Sequence, residues 1–456
     1  MRTPFEPLSF ADDPRVATLR RLIWLYFWLL IFEGALRKWL PSLSEPLLIV
    51  RDPVALLIYV QAVRCRKFPL NAPMLAYFFL LISFLLISLF QIVLGIGGGP
   101  FVAAYGLRTN FLHLPLIFVI PEAFSFEEVL KLGRWILILS IPMAALMVLQ
   151  YSSPAGSWIN AGTSADADQL AFAMGKIRAA GTFSYVTGAA HFFVLATAFA
   201  VYAVVERYSG YSRWLLWPAL LSILIVQPVS GSRTLVLGCG LVLAGALIFA
   251  IFSPAHAPKI VSALLFCLAG FVLLSTTGFF REAKDVFMMR WNEANTAWGG
   301  TERGLAGRFL EIFLEPFGLL SQAGPIGKGV GLGTNAGAAL VTGSPVFLLA
   351  ENEWARVVLE AGPLAGFSYL AYRVWLAVLV GVRAAWGARQ GQLLPWLLAW
   401  SACLSLLTEQ VSQPTDLGFM ALVSGLCLAA VSDPLRVAHR TKERRTETVV
   451  HSYAFD

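Results

Sequence analysis

Long apolar runs separated by short polar segments occupy most of this chain. Each run is close to the roughly 20 residues that an α-helix needs to cross a bilayer, and the runs are continuous rather than alternating, as barrel strands would be. We therefore predict an all-α polytopic membrane protein with about twelve transmembrane helices, in a single integral membrane domain over residues 1–456. The predicted spans are residues 20–36, 46–63, 72–95, 101–120, 131–150, 182–205, 213–229, 233–252, 260–279, 346–381, 392–410 and 415–432.

Lysine and arginine are concentrated in alternate short loops, which indicates that these loops are cytoplasmic. With an even number of spans, all of these loops fall on one side of the membrane. Both termini are therefore predicted to be cytoplasmic, and residues 433–456 form a basic cytoplasmic tail. Arg37 and Lys38 fall on the other side. The loop residues that carry the pattern are Arg15, Arg20, Arg21, Arg64, Arg66, Lys67, Arg207, Arg213, Arg383 and Arg389.

The longest polar stretch, residues 280–345, is then predicted to be a large loop on the outer side, in the periplasm of a Gram-negative cell or its equivalent. Two segments within it are helix-like, residues 281–298 and 303–317. Apolar side chains recur at helical spacing in the second. This spacing predicts amphipathic helices that lie on the membrane surface.

The composition supports a membrane protein and excludes several other classes. Of the 456 residues, 58% are hydrophobic and 13% are charged, whereas soluble domains average about 25% charged residues. The net charge of +7 comes without a basic patch interleaved with aromatic residues, so we predict no nucleic-acid partner. The five cysteines form no CxxC pair, which argues against a disulfide framework or a zinc site. We predict no metal and no cofactor, because no cluster of metal ligands is visible in the sequence.

Two arginines lie where they could bind an anion. Arg233 follows a Ser-Gly-Ser segment at the start of an apolar run, and Arg308 follows Gly307 in the outer loop. Arginine presents a planar fork of donors that binds phosphate bidentately. The alternative is that both contact lipid headgroups, or that Arg308 pairs with Glu311 or Glu315.

Lys328 lies in a glycine-rich segment, residues 327–333. The segment does not fit the GxGxxG pattern and lacks the GK[ST] ending of a P-loop, so nucleotide binding is disfavoured. Its backbone N–H groups could approach a phosphate. A simple hinge is the alternative.

A dense group of charges begins the apolar run near residue 351. On a helix, Glu353 and Glu360 lie three and four residues from Arg356, so the three share a face and can pair. Glu351 lies near the helix N-terminus, where the dipole favours a carboxylate. Because a charge at bilayer depth costs about 2.5–3.5 kcal/mol, so many charges favour a water-filled cavity over an intramembrane ion pair.

The order and spacing of these motifs resemble the O-antigen ligase and polysaccharide polymerase family of bacterial inner-membrane proteins. That family has an arginine after small residues at an outer helix start, a Gly-Arg helix in its large periplasmic loop, and a Gly-x-Gly-x-Gly run. His-Asn follows, with Glu nine and Gly eleven residues after the histidine. The matching positions are residues 230–233, Gly307, Arg308, residues 327–333, Glu351, Asn352, Glu360 and Gly362. Glu351 replaces the family histidine.

The resemblance implies an inverting, metal-independent glycosyltransferase. Such an enzyme takes a glycan from undecaprenyl diphosphate and transfers it to an acceptor sugar hydroxyl at the outer face of the inner membrane. The implied partners are this donor, the acceptor glycan, membrane lipids, and chain-length regulator and flippase proteins. The candidate catalytic bases are Glu351, Glu353 and Glu360, and the candidate diphosphate-binding residues are Arg233, Arg308, Lys328 and Arg356.

The favoured reaction is polymerisation of surface polysaccharide repeat units, and ligation of O-antigen to lipid A core is the alternative. Two hypotheses come from other classes. One is an inactive partner in polysaccharide assembly. The other is a transporter of an anionic solute or lipid-linked sugar, which would use Arg51, Asp52, Arg108 and Glu409.

Overall fold

The computed structural model describes residues 14–162, 176–208, 210–297, 301–344 and 346–431, so the predicted tail 433–456 lies outside the described residues. Side chains are also not described at residues 290, 293–297, 301–306 and 308. The described chain is all-α and contains no strand. Its α-helices are α1 Pro14–Trp39, α2 Ser44–Leu47, α3 Arg51–Arg64, α4 Ala72–Val93, α5 Pro100–Phe111, α6 Leu116–Ala123, α7 Phe126–Ser152, α8 Val186–Val205, α9 Arg213–Val229, α10 Arg233–Phe252, α11 Ala257–Leu274, α12 Gly278–Ala297, α13 Thr301–Gly318, α14 Leu320–Ala323, α15 Asn335–Thr342, α16 Glu353–Arg389, α17 Leu393–Thr408 and α18 Pro414–Ala430.

Each predicted apolar run overlaps a helix, and both helix-like segments of the 280–345 loop are helical, as α12 and α13. By length and composition, seven helical segments of the described chain can cross a membrane, or eight if α5 and α6, bent by 43°, form one span. The predicted total of about twelve also counts α1 and the shorter apolar helices α9, α17 and α18, which do not meet that test. The seven are Pro41–Arg64, Ala72–Val93, Phe126–Ser152, Val186–Val205, Arg233–Phe252, Pro254–Leu274 and Glu353–Arg389.

Helix α8 lies at the centre of the bundle. In its apolar stretch, 94% of the residues are buried, as expected for a helix that is hydrophobic all round. It packs against α7, α9, α10, α11, α17 and α18. Polar side chains near its N-terminus therefore face other helices rather than solvent.

Polar caps fix where two helices of the candidate site begin. The Ser232 hydroxyl accepts a hydrogen bond from a backbone N–H in the first turn of α10, so Arg233 is the first residue of that helix. The Asn352 side chain accepts one from the N–H of Trp354 at 2.9 Å, so α16 starts at Glu353. Such caps satisfy N–H groups that have no partner within the helix.

Helix α16 reverses direction inside its range. The Arg373 Nη1 atom lies 3.0 Å from Oε1 of Glu353, although twenty residues of straight helix would separate them by about 30 Å. The reversal occurs at Gly362, with φ 81° and ψ 165°, directly before Pro363. Glycine tolerates this conformation and proline prevents the first arm from continuing. We call residues 353–373 the α16 hairpin.

Replacing Gly362 with alanine is expected to prevent the hairpin from forming. A Cβ at this position would lie 2.4 Å from the carbonyl oxygen of Pro325, and the conformation itself costs a non-glycine residue about 1–3 kcal/mol. We expect a large fall in the melting temperature of the detergent-solubilised protein.

The matched control is Gly343→Ala. Gly343 also has a positive φ, 77°, but a Cβ there meets no atom within 4 Å. This variant should lose only about 1–2 kcal/mol, from the left-handed backbone alone. Equal melting temperatures for the two variants would contradict the close packing assigned to Gly362.

Candidate functional site

Buried polar side chains from helices far apart in the sequence are connected at one end of the bundle. We call this end of the bundle the polar end. Arg51 on α3 illustrates the pattern, since its Nε donates to Glu33 on α1 at 2.6 Å and its Nη2 donates to the carbonyl of Pro414 on α18 at 2.6 Å. Buried polar groups need such partners, because an unpaired one costs free energy. The residues that define the polar end are Glu33, Arg51, Gln91, His191, Glu353, Glu360, Arg373, Glu409 and Asp416, of which Glu409 is half-buried.

The α16 hairpin is held together by a buried ion-pair network. Glu353 accepts hydrogen bonds from Arg356 at 2.9 and 2.8 Å and from Arg373 at 3.0 Å. Arg356 Nη1 lies 2.8 Å from Oε2 of Glu360, and its Nη2 donates to Asn110 on α5 at 2.9 Å. The four charged side chains are at most 2% exposed. Two guanidinium groups against two carboxylates give no net charge, which is the condition for keeping such groups buried.

The predicted pairing of Arg356 with Glu353 and Glu360 is confirmed. The predicted water-filled cavity around these three side chains is wrong, because they are buried and bonded to one another. The contact of Arg373 with Glu353 was not predictable from the sequence. Arg373 lies in the middle of an apolar run and reaches Glu353 only because the chain reverses at Gly362. The roles of these residues as base and diphosphate ligand stay predictions.

The glycine-rich segment 327–333 packs between α5 and the α16 hairpin. The backbone N–H of Lys328 donates to a hairpin carbonyl at 2.8 Å, and that of Gly333 donates to Oε1 of Glu360 at 2.9 Å. A Cβ at Gly331 would lie 2.1 Å from a backbone oxygen of α5. The glycines therefore allow close backbone packing rather than a free hinge, and the Lys328 side chain is half-buried.

Gln91 on α4 joins this segment to the hairpin. Its side-chain amide donates to the carbonyl oxygens of Ile326 and Glu360 at 2.6 and 2.8 Å and accepts from the N–H of Val330 at 2.8 Å. One buried amide thus satisfies three backbone groups. The Gln91 side chain therefore holds the glycine-rich segment in place relative to Glu360.

Glu351 differs from the other carboxylates of its motif because its side chain is exposed. Its carbonyl oxygen accepts a hydrogen bond from Gln410, in the turn between α17 and α18. The adjacent Asn352 donates to the carbonyl of Ile312 on α13 at 3.1 Å. Arg308 lies on α13 about one turn before Ile312, and its side chain is outside the described part of the structure.

Arg233 is half-buried at the start of α10. Helix α10 runs parallel to α8, because a Cβ at Gly238 would lie 2.6 Å from Val194 and the Thr197 hydroxyl lies 3.2 Å from the sulfur of Cys239. Counting back from these contacts places Arg233 level with the first turns of α8. It therefore lies at the polar end.

The sequence matches no protein-family model and no curated protein. The length and hydropathy of the described helices decide the class of protein to which the chain belongs. The protein is a multi-pass helical membrane protein.

This membrane protein has one further polar group, which is formed by residues from distant segments of the chain. Nε2 of His191 on α8 lies 3.3 Å from Oε2 of Glu409 and 3.7 Å from Oδ1 of Asp416. Glu409 follows the last residue of α17 and Asp416 is in the first turn of α18, so the short turn between these helices presents both carboxylates to α8. Sequence spacing gives no signal for this group because the histidine and the carboxylates come from distant segments.

The residues of the transporter hypothesis are engaged in ion pairs in this membrane protein. Arg108 donates to both carboxylate oxygens of Asp52, and Nε2 of His113 lies 3.2 Å from the same carboxylate. Nδ1 of His113 is 2.9 Å from the Tyr26 hydroxyl. Arg51 pairs with Glu33 instead. These contacts tie α1, α3 and α5 together.

A cavity of about 380 Å³ lies at the opposite end of the membrane protein. It is formed by α8, α9 and α11 and is lined by Val204, Arg207, Trp217, Lys259 and Phe266 among others. None of the candidate site residues lines it.

Proposed function

We propose that this protein is a glycosyltransferase of the bacterial inner membrane. It transfers a glycan from undecaprenyl diphosphate to a sugar hydroxyl at the outer face, with inversion at the transferred carbon and without a metal in the reaction. The favoured reaction is polymerisation of surface polysaccharide repeat units. Both termini are cytoplasmic in this proposal, and the polar end faces outward.

One observation carries this proposal: the segments with the family-like motifs adjoin one another at the polar end. Helix α13, which contains Arg308, is bonded to Asn352. The segment around Lys328 is bonded to the α16 hairpin, and the first turn of α10, with Arg233, lies level with the first turns of α8 at the same end. Membrane insertion alone does not require such contacts between distant segments, whereas a shared site does.

The chemistry assigned to the basic residues follows from the donor. As the sugar leaves undecaprenyl diphosphate, negative charge grows on the departing phosphate oxygens, and fixed cations stabilise it in the transition state. Arg233 and Arg308 bind these oxygens through guanidinium forks, and Lys328 adds a point charge. The N-terminus of α10 adds its helix dipole beside Arg233.

The base that accepts the proton of the acceptor hydroxyl is Glu351 in this proposal. Its exposed side chain can reach a substrate. By contrast, Glu353 and Glu360 are buried and accept hydrogen bonds from arginines or a backbone N–H inside the bundle, so their oxygens do not face a substrate. We assign these two residues and Arg356 to positioning the start of α16, and with it Glu351.

Helix α13 supports contact with a lipid donor. Several of its apolar side chains are exposed although the helix also packs against α16, where Phe313 contacts Trp354 with ring centroids 4.7 Å apart. An exposed apolar face on a helix beside membrane spans suits lipid chains. The exposed residues are Phe309, Leu310, Leu314 and Phe317.

Three alternative functions would assign a different role to the polar end. A ligase would transfer the finished O-antigen to lipid A core with the same donor chemistry. An inactive assembly partner would keep the fold without transfer. A transporter is less favoured, because Arg51, Asp52 and Arg108 already have buried or half-buried ionic partners.

Deletion of the gene, followed by analysis of lipid-linked glycans, tests the proposal in cells. A polymerase predicts that single repeat units accumulate on undecaprenyl diphosphate and that a plasmid copy restores long chains. Chain-length regulator and flippase proteins are expected partners, so both must be present in the strain. Polymerised but unattached chains would indicate the ligase instead, and an unchanged glycan profile would contradict transfer altogether.

A further inference from the structure

His191, Glu409 and Asp416 form a group whose dimensions fit a metal ion. Their ligand atoms all lie within 4.8 Å of one another, and the histidine nitrogen lies 3.3 and 3.7 Å from the two carboxylate oxygens. Around a metal with bonds of about 2.1 Å, tetrahedral ligand atoms lie about 3.4 Å apart. The two distances from the histidine nitrogen therefore match the edges of such a tetrahedron.

Two of the three ligand atoms are buried and have no hydrogen-bond partner. His191 is 6% exposed and Asp416 is 1% exposed, yet neither Nε2 of the histidine nor Oδ1 of the aspartate makes a hydrogen bond. The imidazole ring is held in place by Phe419, whose ring stacks on it with centroids 5.6 Å apart. Because buried polar atoms are nearly always hydrogen-bonded, atoms without such a bond are open to a further ligand.

The two carboxylates of this group have no arginine or lysine partner in the described part of the structure. The other buried carboxylates of the polar end pair with arginine: Glu33 with Arg51, and Glu353 and Glu360 with Arg356. Within the described residues, the only basic side chain within 4.0 Å of the Glu409 or Asp416 carboxylate is His191. One buried and one half-buried carboxylate carry two negative charges, of which a single imidazole can balance at most one, and desolvated ions without compensation are costly.

We propose that His191, Glu409 and Asp416 bind one divalent cation, Zn²⁺ or Mn²⁺. Zn²⁺ is bound by imidazole nitrogen and carboxylate oxygen alike, and Mn²⁺ suits carboxylate ligands, whereas Mg²⁺ and Ca²⁺ prefer oxygen ligands throughout. The cation joins the N-terminal turns of α8 to the turn between α17 and α18. It has a structural role, and the proposal does not rest on glycosyl transfer.

The test uses the purified full-length protein in detergent, with any affinity tag removed. After treatment with EDTA and dialysis against Zn²⁺, Mn²⁺ or Mg²⁺, bound metal is measured by mass spectrometry and the melting temperature is recorded. We expect saturable binding of one Zn²⁺ or Mn²⁺ per molecule, with a rise in melting temperature of a few degrees. Mg²⁺ should produce neither effect.

Asp416→Asn should weaken binding at least tenfold and abolish the metal-dependent rise in melting temperature. The matched control is His113→Gln, because His113 is also a buried histidine beside a carboxylate, but Asp52 there already pairs with Arg108. This control should keep full metal binding.

The proposal is overturned if the wild-type protein shows no saturable Zn²⁺ or Mn²⁺ binding, which would mean that a proton shared by the group supplies the charge. Binding that persists unchanged in Asp416→Asn would also overturn it. If Asp416→Asn fails to fold, His191→Gln takes its place in the same comparison, and the wild-type measurement decides on its own.

Discussion

Replacing Glu353 with glutamine is expected to lower the free energy of unfolding by about 3–5 kcal/mol. Glu353 is the shared partner of Arg356 and Arg373, and all three side chains are buried. Glutamine keeps the shape but leaves Arg373 without an ionic partner, while Arg356 retains only Glu360. Thermal unfolding of the protein in detergent, followed by intrinsic fluorescence, measures the effect.

Glu351→Gln is the matched control, because Glu351 lies two residues away and its side chain is exposed. Its stability should change by no more than about 0.5 kcal/mol. The double variant Glu353→Gln with Arg373→Met should recover part of the lost stability, since removing both partners of a buried pair costs less than removing one. A Glu353→Gln protein that melts like the wild type would disprove the network, and if it also lost transfer activity, Glu353 rather than Glu351 would be the base.

Arg233→Ala is expected to reduce glycan transfer by about 10²–10³-fold, the usual loss when one charge-stabilising donor is removed from a transition state. Arg233 is half-buried at the first position of α10, where Ser232 caps the helix independently. The fold should therefore survive the change. The measurement is the rate of chain extension by purified variant and wild-type protein, at matched melting temperature.

Two variants separate charge from position in this experiment. Arg233→Lys should keep part of the activity, because it retains the charge but loses the bidentate fork. Arg213→Ala removes an exposed arginine at the start of α9, at the other end of the bundle, and should be fully active. Full activity of Arg233→Ala would remove this residue from the site.

The helices were predictable from the sequence, whereas the reversal in α16 was not. Apolar runs of sufficient length identify helices because their backbone groups must be satisfied internally in lipid. The same argument treats residues 346–381 as one span. The close approach of Gly366 to the backbone of Val358, and the ion pair of Glu353 with Arg373, show that the chain folds back there.

The candidate site was partly predictable for a related reason. Helical spacing correctly joined Arg356 to Glu353 and Glu360, since residues three and four apart lie on one face. It could not join Asn110 to Arg356, or His191 to Glu409 and Asp416, because those contacts depend on how helices distant in sequence pack. The burial that distinguishes Glu351 from Glu353 and Glu360 also depends on that packing.

The most direct test of the central proposal is chain extension by the purified protein alone. The full-length protein is reconstituted into liposomes with an undecaprenyl-diphosphate-linked repeat unit, and the products are separated on a gel. We predict a ladder of polymers with the wild-type protein and single units only with Arg233→Ala. Unmodified donor in the presence of correctly folded wild-type protein, with added acceptor glycan, would contradict the assignment as a glycosyltransferase.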